Sequence, residues 1–173
     1  YNNIKALRIF KNVETDIESF DNKKTKIINV SVEEKPTGEI FAGAGTGTSG
    51  SSLSFGISEN NYLGEGIKLG SDFTITNETL VGKLFINEPN YKNSNRSLIR
   101  SFNRSEADYL DTFGYKTSTT GLSVGTGFEQ YKDLFFNIDL SNYYEKLETS
   151  SSASAIKKKQ EGDYFENLIS YTL

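Results

Sequence analysis

"FAGAGTGTSGSSLSFGISENNYLGEG", Phe41 to Gly66, is the stretch on which the fold turns. From Ser52 to Ser58 it alternates strictly, with Leu53, Phe55 and Ile57 on one side and Ser52, Ser54, Gly56 and Ser58 on the other. Period two is the signature of a strand with two unlike faces. The part before it alternates as well but carries almost no side chains: Gly43, Gly45 and Gly47 share one face, and Ala42, Ala44 and Thr46 share the other. Glycine in a strand costs about 0.5–1 kcal/mol relative to alanine, so a strand from Glu39 to Thr48 is held to its neighbours mostly by backbone.

Downstream the alternation recurs. Ile67, Leu69, Phe73 and Ile75 stand against Lys68, Gly70, Asp72 and Thr74, and Leu80, Leu84 and Ile86 stand against Lys83 and Asn87. Leu122, Val124 and Phe128 oppose Gly121, Ser123, Gly125 and Gly127, and Phe136, Ile138 and Leu140 oppose Asn137, Asp139 and Ser141. Ser97 to Ala107 alternates poorly. The runs are separated by TSGS, NNYLGEG, ITNET, NEPNYKNSNRS, ADYLDTFG, EQYKD and the segment Glu145 to Gly162, which predicts strands about ten residues long in an up-and-down meander. A soluble sandwich shows water Lys, Glu, Thr and Arg, whereas a membrane barrel shows lipid its apolar face and encloses Gly, Ser, Asn and Thr. The second face here is heavy in Gly and Ser, and the expected fold class is therefore all-β, an antiparallel up-and-down transmembrane β-barrel.

Upstream, Ile4, Leu7 and Phe10 fall three apart between Lys5, Arg8 and Lys11, predicting the end of an amphipathic helix over Asn3 to Asn12. Two strand-like runs follow, VETDIESF and TKIINVSVEE, with DNKK as the turn between them, so the N-terminal part reads as the tail of a small α+β unit. Lys35, Pro36, Thr37 and Gly38 mark the boundary, where Pro36 stiffens one side and Gly38 frees the other. These four residues are the expected hinge.

The composition excludes much chemistry. The 173 residues hold no His and no Cys, which removes the usual general base, the usual partner of a catalytic serine, thiolate nucleophiles and the commonest metal ligands. No catalytic residue, metal site or cofactor is expected, and the chain is not expected to be an enzyme. Lys and Arg number 19 against 23 acids, giving a net charge of -4 and no footprint for nucleic acid. GAGTG echoes a phosphate-binding loop, but no Lys-Ser/Thr follows it. Glu33 and Glu34 are adjacent on a strand and point to opposite faces. No run approaches the ~18 apolar residues of a membrane helix. With no Met and Tyr1 at its start, the chain is expected to be a processed product or an excerpt.

The segments LRIFKNVETDI, VSVEEKPTGEIFAGAGTGTSGSSLSFGISENNYLGEG and NEPNY together resemble the BamA-type outer-membrane assembly factors of the bacterial surface antigen family, at the point where the last periplasmic POTRA module runs into the barrel. The most specific parts are Val32 to Gly38, Glu59 to Gly66 and Asn87 to Tyr91. The resemblance implies two parts: residues 1–36 as the end of a POTRA module, and residues 37–173 as the first seven barrel strands and the start of an eighth. It implies assembly and insertion of β-barrel proteins into the bacterial outer membrane, with the N-terminal module in the periplasm. It further implies unfolded outer-membrane proteins, assembly-complex lipoproteins and outer-membrane lipid as partners. The family's arginine motif has no counterpart in these residues.

Within that frame Ile40, Phe41, Ala42, Gly43, Ala44, Gly45 and Thr46 are the expected lateral gate, a weak first strand that opens and pairs with a substrate strand. Tyr62, Tyr91, Tyr131, Phe135, Tyr143 and Tyr144 are the expected aromatics at the membrane interfaces. Two other readings share the alternation: a polypeptide-secreting translocator of the same superfamily, and a soluble ligand-binding β-barrel, which would bury the apolar face instead.

Overall fold

The computed structural model describes residues 2–19, 26–47 and 50–173; the expected turn DNKK lies outside them, as does the first half of TSGS. A short helix, α1 (Asn2–Ala6), precedes a two-stranded antiparallel sheet of β1 (Phe10–Ser19) and β2 (Lys26–Glu34). The helix expected to reach Asn12 is cut short. Arg8 takes a left-handed conformation, φ 59°, which a helix cannot continue through, and Phe10 to Asn12 already belong to β1. Spacing by three here straddled a helix end and a strand start. One helical turn and a hairpin do not make a POTRA module evident.

From Gly38 onward the chain forms one eight-stranded antiparallel sheet in simple sequence order. Its strands are β3 (Gly38–Gly47), β4 (Gly50–Tyr62), β5 (Ile67–Thr76), β6 (Thr79–Glu88), β7 (Arg96–Tyr109), β8 (Tyr115–Tyr131), β9 (Leu134–Thr149) and β10 (Gly162–Thr172). Each strand pairs with its sequence neighbours, as a meander requires, and β3 and β10 form the two edges, so the sheet is open and not a closed barrel. No helix among the described residues is long and apolar enough to cross a membrane, which leaves strand crossing untouched.

The two faces differ as the alternation predicts. In β8, Gly121, Gly125 and Gly127 are buried while Leu122 is 59% and Val124 52% exposed. Gly56 and Ser141 are likewise buried, and Leu53, Phe55 and Leu140 are exposed. The glycine and serine side is therefore the enclosed side, and the Leu, Ile and Phe side faces out. A soluble barrel requires the reverse. Buried apolar side chains among the described residues amount to Ile9, Val13, Leu147 and Ala153, far too few for a water-soluble core of this size.

The apolar band also runs obliquely to the hydrogen-bonded rows. One row on the outer face passes from Ile57 through Ser71, Leu84, Phe102 and Leu122 to Asn142 and Asn167, leaving the band as it goes. The next row starts on Glu59 and passes through Leu69, Ile86, Arg100 and Val124 to Leu140 and Ile169, entering it. A level apolar belt crossed by slanting rows is the geometry of strands tilted to a membrane normal.

Strands β7, β8 and β9 are 14, 17 and 16 residues long, longer than expected. They absorb residues assigned from sequence to the turns ADYLDTFG and EQYKD and to the Glu145–Gly162 segment. Their extra length at the side away from Gly38 carries charges on the outer face: Lys116 reaches Glu106 at 2.5 Å and Asp108 at 3.1 Å, and Lys146 reaches Glu148 at 2.5 Å. The Leu110 N–H and then Lys116 hold the Asp108 carboxyl below its ordinary range, and Glu106 and Asp108 raise Lys116. Charges there interrupt the hydrophobic alternation without interrupting the ladder, because beyond the band they stand in water.

Candidate functional site

The two edges of the sheet, β3 and β10, are where a further strand can add, and the expected gate lies on β3. On one side β3 pairs with β4 from Gly38↔Glu59 to Gly47↔Gly50; on the other no strand lies against it among the described residues. Seven expected gate residues, Ile40 to Thr46, all fall inside this strand and all are exposed. An edge of ten residues presents unpaired N–H and C=O groups in a regular row, which is a template for another strand.

Elsewhere in the sheet, glycines meet aromatic rings across the ladder. Phe85 lies directly opposite Gly70 and its ring fills the space a Cβ there would need, at 2.5 Å; Tyr143 does the same to Gly121 at 2.7 Å, and Phe73 to Gly82 at 3.0 Å. Phe41, at the start of the gate segment, overlaps the Cβ position of its partner Gly56 in the same way. Beyond Phe41 this packing stops. Gly43 and Gly47 have no atom within 4 Å of a Cβ position, and Gly45 meets only the Ser52 hydroxyl at 3.2 Å. None of the three has a positive φ. Neither backbone conformation nor a crowding neighbour demands glycine at these positions, so the part of β3 from Ala42 to Gly47 is held to β4 by backbone hydrogen bonds and small contacts alone. On the outer face, Ala42 and Ala44 leave a depression of about 390 Å³ against Leu53, Phe55, Phe73 and Ile75.

The boundary is tied from both sides. The Lys35 N–H donates to Ile9 O at 3.2 Å, joining it to the N-terminal hairpin. The Thr37 hydroxyl donates to the Glu59 carboxylate, and Asn60 Nδ2 donates to Thr37 O at 3.4 Å, joining it to β4. Gly38 is already paired in β3. Between these anchors only Pro36 is unattached by any such bond, and of the four expected hinge residues Gly38 belongs to the sheet.

The six expected interface aromatics divide. By register Tyr62 stands beside Ile67 and Tyr131 beside Leu134, at the Gly38 side of the outer face, and Tyr144 stands beside Phe165 at the opposite side. Tyr91 lies in a 3-10 turn, Tyr91–Asn93, between β6 and β7. Phe135 and Tyr143, however, fall on the glycine-rich face, Tyr143 over Gly121. Counting along β9 from Ile138 and Leu140 gives both their inward parity; a gathering of aromatics near a strand end does not reveal it. Phe165, on the outer face and 66% exposed, was missed because its run, GDYFENLISYT, lies in a segment read as loop at its start.

No family model matches the chain. In structure it is similar to the crystal structure of BamA from Haemophilus ducreyi lacking POTRA domains 1-3, with a TM-score of 0.74 at 22% sequence identity, covering 99% of this chain and 35% of that one. The chain thus has a BamA-like barrel fold and spans about a third of the length of that crystallised chain.

Proposed function

We propose that this chain is the gate-bearing part of an outer-membrane β-barrel that inserts other β-barrel proteins into the bacterial outer membrane. The single observation that carries this reading is in β3: Gly43 and Gly47 are left unfilled on a strand whose outer edge has no partner among the described residues, whereas Gly56, Gly70, Gly82 and Gly121 are each met by an aromatic ring and Gly125 and Gly127 by the Asp139 and Asn137 side chains. A gate strand has to satisfy two opposed demands. It must pair with a closing strand well enough to seal, and weakly enough to exchange that strand for an incoming one. Backbone ladder bonds without side-chain locking meet both, since they are the same for any sequence that pairs and carry no shape to be matched.

In this reading Ile40 to Thr46 receive the substrate strand by β-augmentation, and no bond is made or broken. An unpaired edge in hydrocarbon costs several kcal/mol per unsatisfied group, roughly, so an incoming strand that satisfies them is drawn in by the membrane itself. The hairpin of β1 and β2 is the end of a periplasmic POTRA module, and the Lys35–Pro36–Thr37 connection lets it swing beneath the barrel mouth. Unfolded outer-membrane proteins, accessory lipoproteins and membrane lipid are the partners this assigns.

The test is cysteine trapping in the full-length protein. A cysteine at Gly43 or Gly45 is expected to form a disulfide with one in the terminal strand of a stalled substrate. Trapping found only at strands distant from β3 overturns the gate assignment. Trapping of a polypeptide in passage across the lumen, with none along β3, would support the secretion translocator instead.

A further inference from the structure

We infer that Phe41 is the register key of β3, the side chain that fixes which residues of β4 the strand pairs with. Slippage by two residues keeps every side chain on its proper face, so alternation alone does not forbid it, and glycine-rich strands are the ones that slip. From Ala42 to Gly47 nothing else forbids it. A shift of two would place Gly43 against Gly56 and Ala44 against Phe55 in place of the observed pairs Gly43↔Ser54 and Ala44↔Leu53, and in neither register does a glycine or alanine of β3 fill a seat in β4.

Phe41 is different. In the observed register its ring sits in the space left open by Gly56, with Asp72 Oδ1 2.9 Å from the same Cβ position. A shift of two either way sets Phe41 opposite Ser54 or Ser58, each of which has a Cβ where the ring must go. The ring and its glycine seat therefore act as a key and slot, and the Phe85–Gly70 and Tyr143–Gly121 pairs show the same fit where the rest of the sheet is fixed. The Thr37 to Glu59 hydrogen bond is also specific to this register, but it lies at the strand's open end, where water competes for both groups. The inference goes beyond the gate reading and stands without it, because a strand held by backbone alone needs a register key whether or not a substrate joins its free edge.

Disulfide formation within the full-length membrane protein reads the register directly, and the 173 residues contain no cysteine to interfere. In an otherwise unchanged chain, paired cysteines at Ala44 and Leu53 are expected to bond, and cysteines at Ala44 and Phe55 are not. Phe41→Ala should raise the ratio of the 44–55 to the 44–53 bond by about tenfold, the scale of losing one cross-strand aromatic contact. Phe41→Tyr should restore the original ratio, and Thr37→Ala should leave it alone. The double variant Gly56→Ser with Ser58→Gly moves the slot two residues while keeping Phe41, and should make 44–55 the dominant bond. All are measured on the folded protein, and the moved-slot variant carries the test should Phe41→Ala not fold. An unchanged ratio in Phe41→Ala, or a moved slot that leaves 44–53 dominant, overturns the inference. Substrate trapping at Gly43 reports on the gate separately.

Discussion

Arg100 of β7 and Glu88 of β6 form an ion pair on the outer, apolar face of the sheet, one row apart across the ladder. Arg100 lies between Ile86 and Val124 in its row, so it enters the membrane band from below and Glu88 meets it at the boundary. A lipid-facing arginine costs ~2–4 kcal/mol at the bilayer midplane and ~0–1 near an interface, and this pair belongs near the interface.

Removing one member should therefore hurt more than removing both. Glu88→Ala leaves a charged arginine against hydrocarbon and is expected to lower unfolding stability by about 1–2 kcal/mol, whereas Glu88→Leu with Arg100→Leu should be neutral or stabilising. Urea titration of the folded band in lipid vesicles measures both. A double variant less stable than Glu88→Ala would place the pair away from lipid.

The unlike glycines make a second contrast. Gly70→Ala and Gly121→Ala push a Cβ into the Phe85 and Tyr143 rings and should each cost about 1–3 kcal/mol. Gly43→Ala meets open space and should stabilise the isolated sheet by roughly 0.5–1 kcal/mol. If the edge works as a gate, the same Gly43→Ala should slow insertion of substrate barrels several-fold, so that stability and activity move in opposite directions. Stability by urea titration and assembly rate in proteoliposomes, taken on the same preparations, separate the two.

From the sequence alone Gly43 and Gly56 look alike, each a glycine in an alternating run. What separates them is the residue across the ladder, Ser54 for one and Phe41 for the other, and that depends on register, which is non-local. The faces, by contrast, were legible, because alternation is local: Leu53, Phe55 and Ile57 announce their side without reference to any neighbour. β7 was hard to read for a third reason. Arg100, Arg104 and Glu106 occupy outward positions where an apolar residue was expected, and each is satisfied by a partner brought from another strand or from two residues away along its own.

The hinge admits a narrower test than the sequence offered. Pro36→Gly loosens the connection without touching the bonds of Lys35 or Thr37, and should reduce the assembly rate several-fold while leaving barrel stability unchanged. Gly38→Pro removes an N–H from β3 and should damage both, since Gly38 is paired with Glu59. Assembly rates untouched by both substitutions would remove the hinge from the mechanism.

The assignment of lipid to the Leu, Ile and Phe side can be measured residue by residue, because these 173 residues hold no tryptophan and the signal of each introduced one is read as the difference from the unsubstituted protein. Leu140→Trp sits in the middle of the outer band and should be quenched most by lipids brominated deep in the acyl chain. Tyr144→Trp stands two outward positions further along β9, beside Phe165 and next to the ion-paired Lys146, and should be quenched most by bromines close to the headgroup. Ser54→Trp points to the enclosed side, where the empty space at Gly43 can receive it, and should be insensitive to both lipids while remaining open to an aqueous quencher. Depth should also change obliquely: a tryptophan at Asn142 in the row of Leu122 should read shallower than one at Leu122 itself, since that row climbs out of the band. Equal depth along the row would mean strands untilted to the membrane and would overturn the oblique band.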